Sequence, residues 1–443
     1  MDLREAKVVV VGLGKSGLAS VALLAAKGAS VVACDSKALD QLTGAAAALA
    51  RWNVPFQPQS WETIENADWI VISPGVPADL DLLERARRKG IPVVGEVELA
   101  GNFLQGESIG ITGSNGKTTT TALVGHILKE CGVPVQVGGN IGTPVTAMVE
   151  GSRPGQWNVL ELSSFQLETI ERFRARIGVA LNVTQDHLDR HHTFSNYAAA
   201  KARLFETQQP GDYAVLNADD PAAVAYASSS RGRPVWFSLT RAVAPGIWLD
   251  GGRLLFDGQP FLDVQEIPLR GRHNIENVMA GSAAAHLAGA PLEGIARAIR
   301  TFKAVEHRLE FVRTVGGVDF YNDSKATNVD SALKAIEAFP SPLWVILGGK
   351  DKGSDYTPLG PPLAARARAV LLIGAATPLI VEGLKGIVPL IECGTLENAV
   401  QTAFRQAVPG DTVVLAPACA SFDQFESYEH RGRVFKQLVA ELK

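Results

Sequence analysis

The sequence predicts an α/β protein of three domains, and three observations lead there. Short β-branched runs alternate with Ala- and Leu-rich helical stretches from one end to the other. The strand-like runs are apolar throughout rather than alternating, as in parallel strands buried on both faces. A strand–glycine–helix unit restarts along the chain, whose 443 residues exceed one ordinary core.

Taken in order, KVVVVG (7–12) is a strand that runs into GLGKSG, where Gly12, Gly14 and Gly17 match G-x-G-x-x-G ahead of a helix. SVVACD (30–35) is the next strand, and Asp35 ends it about where a dinucleotide site has its ribose-binding acid. The same loop geometry holds any diphosphate, a UDP group included. DWIVIS (68–73) follows, and Ser73, Pro74 and Gly75 in the loop VISPGVP (71–77) would contribute to that first site. The segment GIPVVGEVELAGNFLQGES carries a junction placed near 97, so the first domain is read as 1–96.

SIGIT (108–112) restarts the pattern and enters GITGSNGKTTTT. Gly113 and Gly116 permit backbone conformations that let amide N–H groups converge on phosphate oxygens. Lys117 supplies a cation for the β- and γ-phosphates, Thr118 a hydroxyl for Mg²⁺, and the following helix its N-terminal dipole. The spacing is shorter than the usual G-x4-G-K-[ST], because Gly113 stands only three residues before Gly116. Nucleoside triphosphate binding is the reading. WNVLEL (157–162), IGVALNV (177–183) and DYAVLN (212–217) are further strands, and 235–268 reads as a small antiparallel excursion. An Ala- and Leu-rich helix at 274–300 closes the second domain, 97–302. LWVILGG (343–349), AVLLIG (369–374) and DTVVLAP (411–417) build the third, 303–443.

Composition excludes several classes. Hydrophobic residues make up 46% and charged residues 20%, and the net charge is −4, which argues against a nucleic-acid binder. Cysteines 34, 131, 393 and 419 lack metal-like spacing and read as buried packing residues of a reducing cytoplasm. MDLREAK has no apolar leader, and AVLLIGAATPLIVEGL (369–384) reads as strand, loop and helix rather than a membrane span. A cytoplasmic, monomeric protein that binds neither membrane nor nucleic acid is expected.

Several motifs, in order, carry a more specific likeness: TGSNGKTTT, VGGNIG (137–142), LELSSFQLE (160–168), NVTQDHLDRH (182–191), YAAAKARLF (197–205), GRHNIEN (271–277), VEHRLE (305–310), YNDSKATN (321–328), LGGKDKG (347–353) and APACASFDQFESYEHRG (416–432). Together they resemble the Mur ligases, ATP-dependent amide ligases of peptidoglycan precursor synthesis, over essentially the whole chain. The resemblance implies a Rossmann-like N-terminal domain for the UDP substrate, a central P-loop ATPase-like α/β domain and a C-terminal Rossmann-like domain for the amino acid. Within the family it points to ligation of D-glutamate to UDP-N-acetylmuramoyl-L-alanine.

Amide formation from a carboxylate is uphill in water, so ATP must first convert the carboxylate to an acyl phosphate. Two anions then meet, which metal ions and cations make tolerable. The resemblance implies ATP contacts from Gly113, Ser114, Asn115, Gly116, Lys117, Thr118 and Thr119, with Asn277 at adenine and Arg308 and Asp323 at phosphate and ribose. It implies Mg²⁺, at two sites, on Thr118, Glu161, His187 and a carbamylated Lys201, whose added CO₂ turns a cation into an anionic ligand. Lys117, Glu161, His187 and Lys201 form the catalytic set. The UDP substrate would meet Lys15, Asp35, Ser36, Ser73, Pro74, Gly75 and Asn140. Lys325, Thr327, Lys352, Ser421 and Tyr428 would hold the amino acid, two lysines suiting a dicarboxylate.

Departures from the family pattern are Tyr428 where Phe is frequent and Lys350 as an extra cation. No DNPR segment, the mark of the diaminopimelate-adding relatives, is present. His191 and His192 read as surface residues, and Cys419 as packing. The competing readings are a ligase for another amino acid, a nicotinamide-dependent oxidoreductase resting on GLGKSG, and a non-catalytic nucleotide switch.

Overall fold

Five short strands open the fold in a computed structural model that describes residues 3–303, 305–340 and 342–442. They are β1 (Lys7–Val11), β2 (Ser30–Asp35), β3 (Phe56–Pro58), β4 (Trp69–Ile72) and β5 (Val93–Gly95). All pair in parallel in the order β3-β2-β1-β4-β5. The strand order reverses between β1 and β4, which leaves a crevice at their carboxyl ends. The glycine loop follows β1 and Ser73 follows β4, so the topology alone brings these two segments together. A Cβ on Gly17 would lie 1.8 Å from the Gly12 carbonyl oxygen, so the helix Lys15–Ala26 can approach the strand only with glycine there.

Nine strands form the second sheet: β6 (Glu107–Thr112), β7 (Val135–Gly139), β8 (Trp157–Glu161), β9 (Ile177–Ala180), β10 (Tyr213–Asn217), β11 (Arg233–Ser238), β12 (Gly246–Asp250), β13 (Arg253–Phe256) and β14 (Gln259–Asp263). Their order is β14-β13-β12-β11-β10-β9-β6-β8-β7. β6 sits between β8 and β9, so the phosphate loop leaves the sheet where the strand order reverses. The expected excursion at 235–268 is antiparallel over β12–β14, but it extends this same sheet through a parallel β11–β12 pair. One apolar cluster runs from Val8 and Val10 of β1 through Val97 and Leu99 to Val145 and Leu160. The first two sheets accordingly belong to one compact unit, Met1–Glu266 with Glu276–Arg300.

The second unit comprises Ile267–Ile275 and Thr301–Lys443. It holds β15 (Glu310–Val315), β16 (Val318–Asn322), β17 (Leu343–Gly348), β18 (Ala367–Ile373), β19 (Leu390–Gly394) and β20 (Thr412–Leu415), ordered β15-β16-β20-β17-β18-β19. Only β15 runs antiparallel. Val345 and Leu347 join one apolar cluster while Trp344 and Ile346 join another, the two-sided burial that an uninterrupted apolar run implies. Cys34 and Cys419 are buried as the sequence reading has it, whereas Cys131 and Cys393 are half-buried. Among the described residues no helix is long and apolar enough to cross a membrane. Met1, Asp2 and Lys443, at the ends of the expected first and last domains, lie outside the described residues.

Gly17→Ala should destabilise the first unit, by about 1–3 kcal/mol if the helix can shift to relieve the clash and by more if it cannot. A lower urea midpoint with unchanged slope would show it; an unchanged midpoint would mean that the helix is not tightly seated on the loop.

Candidate active site

β6 delivers Gly113 and its successors to the carboxyl edge of the second sheet. Gly113 and Gly116 have φ of +153° and +85°, values that L side chains rarely adopt. Gly116 caps the helix Lys117–Glu130. The loop is tied to the end of β9: the backbone N–H of Ser114 donates to the Asn182 carbonyl at 2.8 Å, and that of Asn115 to the Asn182 side chain at 2.9 Å. The Ser114 hydroxyl donates to the Thr184 carbonyl at 2.9 Å. Ser114 and Asn115 thus fix the loop's shape, and the helix start at Lys117, Thr118 and Thr119 presents the amide-rich, anion-attracting end. Asn277 is buried behind this loop, within 3.4 Å of the Thr120 hydroxyl, and a Cβ on Gly116 would strike it.

Glu161 ends β8 in the adjacent strand. One carboxylate oxygen accepts from the Asn140 amide at 2.8 Å, while the other, Oε2, is buried with no protein partner. An orphan carboxylate oxygen in the interior is costly unless a cation meets it, so this position fits a metal ion. Lys117 Nζ donates to the Gly113 carbonyl at 2.7 Å and to that of Ser114 at 2.8 Å. Lys201, fully buried on the helix Phe194–Glu206, donates to the same Gly113 carbonyl at 2.9 Å. Burial, and then the Lys117 charge, hold the Lys201 amino group well below the usual lysine range against the pull of Asp186. His187 adopts φ +53°, uncommon for a residue with a Cβ, with its ring edge-on to Phe165 and its backbone N–H bonded to Asp186.

His191 is not a surface residue: it is 5% exposed, whereas His192 is open to solvent. Its ring stacks on Phe165 and lies 2.9 Å from the Ser164 hydroxyl and 3.4 Å from Glu168. The sequence reading also omitted Tyr197, whose hydroxyl meets Ser114 at 3.0 Å and whose ring centroid lies 4.4 Å from Lys201 Nζ. Its spacing, one helical turn before Lys201, was the available signal.

In the first crevice Asp35 turns one carboxylate oxygen to the backbone N–H of Leu13 at 2.7 Å and the other to that of Lys37 at 3.0 Å. It therefore shapes the glycine loop itself. Ser36 lies beside it, and Ser73, Pro74 and Gly75 turn at the end of β4. Lys15 reaches from the glycine loop to the carbonyl of Gly142, two residues beyond Asn140. The first crevice and the phosphate loop are thus linked within one unit.

The second unit gathers a separate set. Lys325 lies 3.7 Å from the Tyr428 ring centroid, a cation–π contact that either Tyr or Phe could make. Thr327 follows on the same loop. Lys352 lies beyond β17, and Ser421 is buried beyond β20. Arg431, fully buried, donates to the carbonyls of Ser324 at 2.9 Å and Cys419 at 3.3 Å, clamping two of these loops together. The Arg308 charge acts on the buried Asp323 carboxyl. Burial pushes the Asp323 carboxyl up to about 7 despite Arg308 and the Leu309 N–H.

Three family models cover these regions: Mur ligase MurD-like, N-terminal domain, matches residues 6–95; Mur ligase middle domain matches 111–285; and Mur ligase, glutamate ligase domain, matches 307–419. The chain is 63% identical to a UDP-N-acetylmuramoylalanine–D-glutamate ligase of Solibacter usitatus, over 99% of this chain and 98% of that one. It is 53% identical to one of Acidobacterium capsulatum, over 99% and 97%. Among solved structures it resembles the MurF ligase of Thermotoga maritima in complex with ADP, with TM-score 0.64, 16% identity and coverage of 99% and 96%. A pseudomurein peptide ligase of Methanothermus fervidus gives 0.63, 19%, 99% and 100%.

The raised Asp323 value carries a sign. The folded state keeps its proton at pH values where the unfolded chain has lost it, so this stability is full below the unfolded value and fades as pH rises towards 7. Asp323→Asn should flatten the fall in melting temperature between about pH 4 and 7. An unaltered slope would place the titrating group elsewhere.

Proposed function

The chain belongs to the Mur ligase family, and we propose that it joins D-glutamate to UDP-N-acetylmuramoyl-L-alanine at the expense of ATP, releasing ADP and phosphate. The observation that carries this is the 63% identity along almost the whole length to a ligase of that name. The orphan oxygen of Glu161 beside the phosphate loop supports the ATP-dependent half.

In this reading the N-terminal crevice, with Lys15, Asp35, Ser36, Ser73, Pro74 and Gly75, holds the UDP group, and Asn140 orients the reacting end. The phosphate loop and the start of its helix hold ATP, with Lys117 on the β- and γ-phosphates. Asn277, Arg308 and Asp323 complete the nucleotide contacts. The substrate carboxylate attacks the γ-phosphorus and ADP leaves. The amine of D-glutamate, having lost a proton, then attacks the acyl carbon and expels phosphate. Lys325, Thr327, Lys352, Ser421 and Tyr428 present that amino acid, with the two lysines answering its two carboxylates.

Thr118, Glu161, His187 and a carbamylated Lys201 would hold Mg²⁺ at two sites. Bound there, it would offset the repulsion between carboxylate and γ-phosphate and stabilise the transferring phosphoryl group. Carbamylation is supported by the depressed Lys201 amine, because CO₂ adds to the neutral form, and by the nearness of Lys117. We extend the proposal to domain boundaries near 97 and 302 and to a monomeric enzyme of the cytoplasm, where ATP and nucleotide-linked sugars are found.

Phosphate release from ATP in the presence of UDP-N-acetylmuramoyl-L-alanine should depend on D-glutamate and not on L-glutamate, L-lysine or diaminopimelate. Lys117→Ala should abolish it, and Lys352→Ala should mainly raise KM for the amino acid. Release driven by another amino acid would keep the chemistry and reassign the pocket. With ¹³C-bicarbonate, wild-type protein should show a carbamate carbon resonance that Lys201→Ala lacks; its absence from wild type would exclude the modification.

A further inference from the structure

Tyr356 is a buried phenol, 2% exposed, that none of the roles above uses. Its hydroxyl lies 2.6 Å from Asp351 Oδ1 and 3.0 Å from Cys419 Sγ. An ionised carboxylate only accepts, so the phenol proton points to Asp351 and the thiol proton to the phenol oxygen. The result is a directed chain, Cys419 to Tyr356 to Asp351, whose last link is short and charge-assisted.

Each end of the chain belongs to a different loop. Asp351 immediately precedes Lys352, and its carboxylate also accepts from the backbone N–H groups of Gly353 at 2.7 Å and Ser354 at 3.3 Å. Burial works against its charge, but the Tyr356 hydroxyl and these N–H groups outweigh it and hold the carboxyl below its usual range. Cys419 lies two residues before Ser421, next to Ala418 with its φ of +60°. A backbone bridge between Lys350 and Ala420 runs alongside, at 2.8 and 3.1 Å. This gives Lys350 a backbone role. The two tied loops are the ones that carry Lys352 and Ser421.

We propose that Tyr356 and Asp351 are positioning residues for amino-acid binding, holding the Lys352 loop and the Ser421 loop at a fixed separation through the Cys419 thiol. This deepens the D-glutamate ligase reading and rests on its assignment of Lys352 and Ser421. Neither residue touches the reacting atoms. A pocket assembled from two loops discriminates between amino acids only if their spacing is fixed beforehand, because freedom left in the loops must be lost again on binding.

The test uses Tyr356→Phe, which keeps the ring and removes the hydroxyl, with Asp351→Asn as a second variant. Hydrogen exchange of the substrate-free protein should rise in both 349–354 and 417–421. In turnover, KM for D-glutamate should rise about tenfold, the scale of one lost charge-assisted hydrogen bond, with KM for ATP unchanged. Faster exchange in one loop alone, or a lower melting temperature with KM for D-glutamate unchanged in both variants, would overturn the proposal. If wild type responds to a different amino acid, the ligase reading fails in its substrate, and the exchange result still decides whether the loops are tied.

Discussion

The carbonyl oxygen of Gly113 accepts from two lysine amines, Lys117 and Lys201, and the rest of the phosphate site is arranged around that convergence. Two ammonium groups on one acceptor would repel each other, and burial together with that repulsion holds the Lys201 amine well below its usual range. The fold tolerates this because three elements are fixed independently: β6 places Gly113, the helix cap at Gly116 places Lys117, and the helix at 194–206 places Lys201. On the adjacent strand the buried Oε2 of Glu161 has the opposite need, a cation. A site that holds spare positive and spare negative character separately is prepared for ligands that bring both. ATP and a divalent metal do so, and a carbamate would convert one of the competing amines into an acid.

The N-terminal crevice illustrates how a strong motif can be consistent with more than one ligand. Gly12, Gly14 and Gly17 make a tight loop under a helix, and the sheet order supplies the switch point that dinucleotide enzymes use. Yet Asp35 spends its oxygens on the backbone N–H groups of Leu13 and Lys37, so its first duty is to the loop. Lys15 points the other way, to the carbonyl of Gly142. Gly142 stands two residues from Asn140, which itself donates to Glu161. A short covalent and hydrogen-bonded path thus runs from the glycine loop after β1 to Glu161 at the end of β8.

Legibility in the sequence followed the physics of each element. Long apolar runs such as LWVILGG and the glycine-punctuated loops were plain, because burial on both faces and positive φ each leave a compositional mark. β3, β5, β7 and β19 were not, being short or glycine-containing strands held by neighbours rather than by their own pattern. β15 and β16 form a hairpin whose outer strand is largely exposed, so its apolar signal is diluted. The residues quoted for the site were legible through motif order. Their neighbours were not: the burial of His191 depends on Phe165 and Tyr197, which come from two other motifs, so its own motif reads as surface. Tyr356 and Arg431 escaped because a buried polar residue is indistinguishable from an exposed one until its partners are known.

The second unit shows why a cation can be useful without a salt bridge. Arg431 is fully buried, and its contacts are the carbonyls of Ser324, Cys419 and Ala420 and the Ser324 hydroxyl, all neutral. Burial lowers its pKa to about 10, still far above neutrality, so the charge persists. A carboxylate partner would have stabilised the guanidinium and cancelled its field. Here the Asp423 carboxylate acts on the guanidinium through its field rather than by a hydrogen bond, while the carbonyls supply the direct contacts. The buried guanidinium thus clamps the Ser324 and Cys419 loops through neutral groups while keeping its own charge.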